Sequence, residues 1–228
     1  PSKYLKEIVI GWGIDFEKIK VVYNALDRSR STQTITPNTM TSSGTGRAQK
    51  NAEIDKKNAS IILSAGRLVP WKGFDVLIKI LKELPREIAL KIVGTGPEEK
   101  KLKKLVSKLG LEKRVKFLGK LEHKKLLQLM NESGIFVLNS GYEGFPHIIL
   151  EAMAMSLPII ATNTCGNPEI VKDNYNGLLV EYNNKKRIKE AILKLWEDKK
   201  LQEKFIKNGK KTLEKFKTSK MLKQTLKV

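Results

Sequence analysis

Arg67, Lys72, Glu143 and Glu151 are the charged side chains whose spacing could do chemistry. Arg67 lies in Gly66-Arg67-Leu68 and Lys72 in Pro70-Trp71-Lys72-Gly73, after an apolar run and before a helical pattern. In an open α/β sheet that is the carboxyl edge of a strand, where ligands bind and the next helix turns its free N–H groups toward an anion. Arginine offers a planar fork to phosphate oxygens and lysine a mobile point charge, so the pair suits a diphosphate. A solvated loop with no ligand also fits them. Gly94, Thr95 and Gly96 precede Pro97 at the end of a second apolar run. They would let backbone approach a ligand closely, but they fall short of a dinucleotide fingerprint, and a tight turn explains them equally. In Ser140-Gly141-Tyr142-Glu143-Gly144-Phe145-Pro146-His147, Glu143 ends a loop, and Glu151 follows in a helix that Pro146 introduces. Ile148, Ile149, Leu150, Ala152, Met153, Ala154 and Met155 make that helix apolar nearly all round, so it is expected to be buried. A buried carboxylate needs a partner. Arg67 or another base would serve, and so would two vicinal hydroxyls of a sugar or ribose.

These residues must be held by elements that alternate from Ser60 onward. Short apolar runs predict strands at 61–65, 89–93, 115–118, 135–138, 158–161 and 177–180, with helices near 74–84, 97–109, 123–131, 147–155, 188–198 and 201–216. Strands alternating with helices signal βαβ units and a parallel sheet. The expected fold class is α/β, a Rossmann-like doubly wound parallel sheet of about six strands with helices on both faces. Residues 3–10 read as a short helix, and 20–23 as a strand leading into Asn24-Ala25-Leu26-Asp27. The stretch 28–58 is rich in Ser, Thr, Asn and Gln. It reads as a polar linker or insertion, since structureless loops of that length are uncommon inside a compact domain.

A chain of 228 residues with 40% hydrophobic content can bury one substantial core. Its longest apolar run, 148–155, is interrupted by Glu151 and falls far short of the ~20 residues of a membrane span. The N-terminus has neither a Met nor an apolar signal core and reads as a fragment or a processed chain. The lone cysteine, Cys165, leaves no internal disulfide and points to a reducing compartment. Together with His123 and His147 it makes no zinc-type spacing, so no metal site is expected. No Gly-x-Ser-x-Gly elbow marks a hydrolase. The formal charge of +20 would attract any polyanion. Basic runs such as Lys100, Lys101, Lys103 and Lys104 carry no interleaved aromatics, so solvated helix faces account for them and nucleic acid is not an expected partner.

The chain resembles the C-terminal domain of family 4 glycosyltransferases of the GT-B architecture, over 18–27 and from Ile61 to the C-terminus. Its landmarks come in the family's order: Gly66-Arg67-Leu68 with Lys72-Gly73, Val93-Gly94-Thr95-Gly96-Pro97, Phe117-Leu118-Gly119, Ser140 with Glu143-Gly144-Phe145-Pro146 and Glu151-Ala152, then Pro158, Gly166, Pro168-Glu169-Ile170-Val171 and Asn176-Gly177-Leu178-Leu179. The ordered set carries the resemblance. It implies the C-terminal half of a GT-B fold and the transfer of a hexosyl group from a nucleoside diphosphate-sugar, with retention of configuration and without a metal.

In that role Arg67 and Lys72 would neutralise the donor diphosphate. Glu143, with the backbone of Gly144, Phe145, Pro146 and His147, would hold hydroxyls of the transferred sugar, and Glu151 would take the ribose. Gly66, Gly94 and Gly96 would border the nucleotide, with the base between Gly94 and the turn from Gly119 to Leu121. The resemblance implies no cofactor beyond the donor substrate, a UDP-sugar or GDP-sugar. It divides the chain into 1–27, the remnant helix and crossover strand of an N-terminal domain; 28–58, the linker; and 59–228, the nucleotide-sugar-binding domain. An acceptor-binding N-terminal domain, from the same gene or a separate chain, is the implied partner. An anionic membrane surface is a further partner consistent with the charge, at a cytoplasmic location on the inner membrane face. Two departures stand out. Cys165, Gly166 and Asn167 occupy the place where the family usually shows two glycines, and the first domain is missing from the sequence. The alternative is a non-catalytic orphan domain that binds an anionic membrane or a partner protein.

Overall fold

Six parallel strands form one sheet in the order β3-β2-β1-β4-β5-β6: β1 (Ile61–Ala65), β2 (Ala89–Val93), β3 (Val115–Phe117), β4 (Ile135–Leu138), β5 (Ile159–Thr162) and β6 (Leu178–Val180). This computed structural model describes residues 2–23 and 60–217, with residues 219, 222 and 226 beyond them; the expected linker at 28–58 lies outside the described residues. The order is that of a doubly wound sheet whose direction reverses between β1 and β4, as expected.

The strands are nearly continuous apolar runs because both faces of the sheet are covered. Along β1, Ile62 enters one core and Leu63 the other; along β5, Ile160 enters the first, and Ile159 and Ala161 the second. The first core is closed by α2 (Phe74–Leu81), α3 (Glu99–Lys108) and α7 (Lys185–Glu197), through Ile78, Leu102 and Leu195. The second is closed by α4 (His123–Asn131) and α5 (His147–Ala154), through Met130 and Leu150. Helix α8 (Lys199–Leu213) serves both, with Phe205 in the first core and Leu213 in the second.

Several boundaries differ from expectation for local reasons. Helix α3 starts at Glu99, two residues after Pro97, and the Glu98 N–H that precedes it is satisfied by the Leu68 carbonyl at 3.0 Å. Helix α7 starts earlier than expected, where the Asn184 side chain accepts from Arg187 N–H; α8 starts where Asp198 accepts from Leu201 N–H. A four-residue helix, α6 (Asn167–Ile170), follows Gly166 and was not foreseen. Residues 20–23, expected as a strand, join no ladder among the described residues.

The N-terminal helix α1 (Lys3–Gly11) is held by one carboxylate. Glu169 accepts from the N–H groups of Lys3 at 2.9 Å and Tyr4 at 3.0 Å, while Ser2 Oγ takes Leu5 N–H. These are the orphan donors of a helix start, where a negative group is favoured. The Tyr23 hydroxyl donates to the same carboxylate at 2.8 Å, and its ring packs on Phe145 and Phe216. Burial first, then the Glu169 carboxylate, pushes the Tyr23 phenol up to about 12, so it stays protonated and remains a donor.

Candidate functional site

A cleft of about 700 Å³ opens at the carboxyl ends of β1 to β4, where the sheet order reverses. Each strand contributes the residues that follow it: Arg67 after β1, Gly94 and Gly96 after β2, Leu121 after β3, and Glu143 and Phe145 after β4.

Backbone packing between the first two loops fixes their shape. Gly66 N–H donates to the Val93 carbonyl at 2.9 Å, Leu68 N–H to the Thr95 carbonyl at 2.9 Å, and Gly94 N–H to the Gly119 carbonyl at 2.8 Å. Gly94 has φ +127°, and a Cβ there would run into the Gly66 carbonyl; one at Gly96 would meet the backbone of Leu68. The two glycines therefore serve the turn as well as the cleft they line.

Lys72 is aimed by the residue after it. Gly73 adopts φ 57°, and any side chain there would collide with Asn139. Asn139 is buried at the end of β4, donates to the Gly73 carbonyl at 3.0 Å and to Asn183 Oδ1 at 2.9 Å, and accepts from Asn183 N–H at 3.0 Å. The loop carrying Glu143 is tied at both ends, by Gly141 N–H to the Trp71 carbonyl at 2.7 Å and by Gly166 N–H to the Glu143 carbonyl at 2.9 Å. The loops from β1, β4 and β5 thus form one framework. Lys72 Nζ and Glu143 Oε1 meet across it in an ion pair.

Arg67 is exposed at the cleft, and its side chain makes no hydrogen bond or ion pair with a described residue. His147 lines the same cleft, its ring edge-on to Phe145 at 5.4 Å. Burial pulls its pKa below the ordinary histidine value, an effect the Glu151 carboxylate partly opposes. Its imidazole is therefore neutral near pH 7, and the positive charge of the cleft comes from Arg67, Lys72 and Lys120.

The structure gathers most of the residues singled out from the sequence. Gly66, Arg67, Lys72, Gly94, Gly96, Leu121, Glu143, Phe145, Pro146 and His147 line the cleft. Gly119, Gly144 and Glu151 lie outside its lining. Gly119 contributes its carbonyl to Gly94 N–H, and Gly144 is covered by Leu5 of α1. Glu151 is mostly buried, and its partner is a base other than Arg67. Its side chain is 18% exposed and pairs with His123 Nε2 at 3.0 Å, not with Arg67. The face of α5 that holds Ile148, Glu151 and Met155 is partly open, so the helix is less buried than its apolar sequence implies. Sequence reasoning missed Asn139, Asn183 and Lys120. The available signal was a buried-strand run, 135–138, ending directly on an amide side chain that needs three partners.

Residues 47–212 match the family described as glycosyl transferases group 1. The chain belongs to this family. A glycosyltransferase of Methanocaldococcus jannaschii is 38% identical over 154 residues, covering 68% of this chain and 43% of that protein. A Campylobacter jejuni relative, named for transfer of N-acetylgalactosamine to a diphospho-undecaprenol-linked saccharide, is 29% identical over 209 residues, covering 91% of this chain and 52% of its own. Among solved structures, the group 1 chain superposes on Anabaena HepE in complex with UDP and glucose with TM-score 0.84 and 26% identity, over 99% of this chain and 60% of HepE. The chain spans about half the length of the curated relatives it matches. It thus corresponds to part of a group 1 protein, with the sheet and cleft described above.

Proposed function

We propose that this chain is the donor-binding domain of a retaining, metal-independent hexosyltransferase that uses a UDP-sugar. The observation that carries the reading is the cleft itself: Arg67 exposed on one loop, and Lys72 held against Glu143, at the carboxyl ends of adjacent strands. The HepE structures with UDP, UDP and glucose, and UDP-glucose support uridine as the base and a hexose as the transferred group.

In this mechanism Arg67 forks onto the diphosphate and Lys72 places a point charge beside it. As the bond from the anomeric carbon to phosphate oxygen breaks, negative charge grows on the departing UDP, and these two cations stabilise it more in the transition state than in the ground state. The sugar passes through an oxocarbenium-like state. The acceptor hydroxyl bonds to the anomeric carbon on the face the phosphate leaves, and its proton passes to the departing phosphate oxygen. Glu143 accepts hydroxyls of the sugar and so orients the ring. Glu151, one turn beyond Ile148 on α5, turns from His123 to the ribose.

An acceptor-binding domain completes the enzyme in this proposal. The acceptor is lipid-linked, a choice supported by relatives named for undecaprenol-linked and lipopolysaccharide-core substrates. The work is then done at the cytoplasmic face of a membrane; no helix among the described residues is long and apolar enough to cross one.

Amide hydrogen exchange with and without UDP tests the donor site. Protection is expected in 64–72, 93–97, 118–121 and 141–149. Protection confined to other segments, such as 173–194, would move the site elsewhere.

A further inference from the structure

Within the cleft Lys72 and Glu143 pair with each other. Their side chains are 15% and 14% exposed, and neither makes another side-chain hydrogen bond or ion pair with a described residue. The Arg67 side chain, by contrast, is exposed and has no hydrogen-bond or ion-pair partner among the described residues. We propose that the Lys72–Glu143 pair makes the cleft select an intact nucleotide-sugar over the free nucleoside diphosphate. The inference rests on the donor-site reading and adds to it a means of discrimination.

The physical argument concerns what each ligand leaves unpaired. A free nucleoside diphosphate draws Lys72 to its phosphates and supplies nothing to Glu143. A mostly buried carboxylate then faces a diphosphate anion with no donor, and separating one partner from a buried pair is strongly unfavourable. The gain at Lys72 is largely cancelled. An intact donor draws Lys72 in the same way but brings sugar hydroxyls that donate to Glu143, so both groups exchange one partner for another. The Arg67 side chain has no partner among the described residues to give up, so it contributes equally to both ligands. After transfer the sugar is gone, Glu143 reclaims Lys72, and the spent nucleotide leaves readily. The same contact that joins the β1 and β4 loops thereby limits inhibition by product.

The test is calorimetric titration of the wild type, Glu143→Gln and Arg67→Ala with UDP and with UDP-glucose, UDP-galactose and UDP-N-acetylglucosamine. The wild type should bind its tightest UDP-sugar about tenfold more strongly than UDP. Glu143→Gln keeps the shape of the side chain and removes its charge. UDP should bind this variant about tenfold more tightly than it binds the wild type, while the sugar donor gains nothing, so that the preference collapses toward unity. Arg67→Ala should weaken both ligands by the same factor. If Glu143→Gln binds UDP no more tightly than the wild type does, or if the wild type already prefers UDP, the inference is wrong. Failure of the wild type to bind any of these ligands would instead overturn the donor-site reading, and this inference with it.

Discussion

Alanine at Gly94 should lower the melting temperature of the chain by about 10 °C, the equivalent of roughly 3 kcal/mol for a protein of this size. Two independent effects act together. The position holds φ +127°, a region that side chains with a Cβ rarely adopt, and the new methyl would overlap the Gly66 carbonyl oxygen. That carbonyl belongs to backbone, and the Gly66 amide is already bonded to Val93, so the loop cannot step aside without breaking its own ladder. The damage should reach the cleft, because Gly66, Arg67, Gly94 and Gly96 all line it. A melt displaced by less than about 2 °C would mean that the β1 and β2 loops are not packed as described.

Arg67→Ala should act in the opposite way, weakening UDP about 100-fold and leaving the melt within error. A hydrogen bond to a charged group contributes about 1.5–3 kcal/mol, and tenfold in affinity corresponds to about 1.4 kcal/mol. A two-pronged contact lies at the upper end of that range. The fold has little to lose, because the Arg67 side chain is exposed and bonds to no described residue. Surface changes of that kind shift stability by less than about 0.5 kcal/mol. Equal losses of UDP affinity and thermal stability would show Arg67 to be structural.

The sheet was legible because its strands are covered on both faces. β1, β2 and β4 coincide with their apolar runs, which only Ser64 and Lys91 interrupt, because both faces of the sheet are covered. Residues 20–23 look like a strand for the same reason, but Tyr23 docks by its side chain. The Tyr23 ring packs on Phe145 and Phe216, and its hydroxyl goes to Glu169. Propensity cannot tell an apolar segment that pairs from one that docks by its side chains. Helix α6 was missed because its four residues are too few for any period.

Within the site, residues that follow strands were foreseen and partnerships were not. Arg67, Lys72 and Glu143 fell where the sheet rule puts ligand-facing groups. That Lys72 would pair with Glu143, 71 positions away, follows from the β1 and β4 loops being neighbours, which only the strand order reveals. The open side of α5 was hidden because the face beside Glu151 is itself apolar, with Ile148 turned to the cleft, so no polar stripe marked it. The partner of Glu151, His123, is 28 residues away at the start of α4. The hold of Glu169 on α1 was equally hidden, as a carboxylate in a short helix gives no sign of which N–H groups it will accept.

The most direct measurement is a calorimetric titration of UDP, GDP and ADP into the unaltered chain, repeated with the Arg67→Ala, Lys72→Ala double variant. A group 1 donor domain of the kind proposed should bind UDP saturably with a stoichiometry near one, prefer it to GDP and ADP, and lose that binding in the double variant. If none of the three nucleotides binds at millimolar concentration, or if UDP binds the double variant as well as it binds the wild type, the cleft between β1 and β4 is not a nucleotide-sugar site.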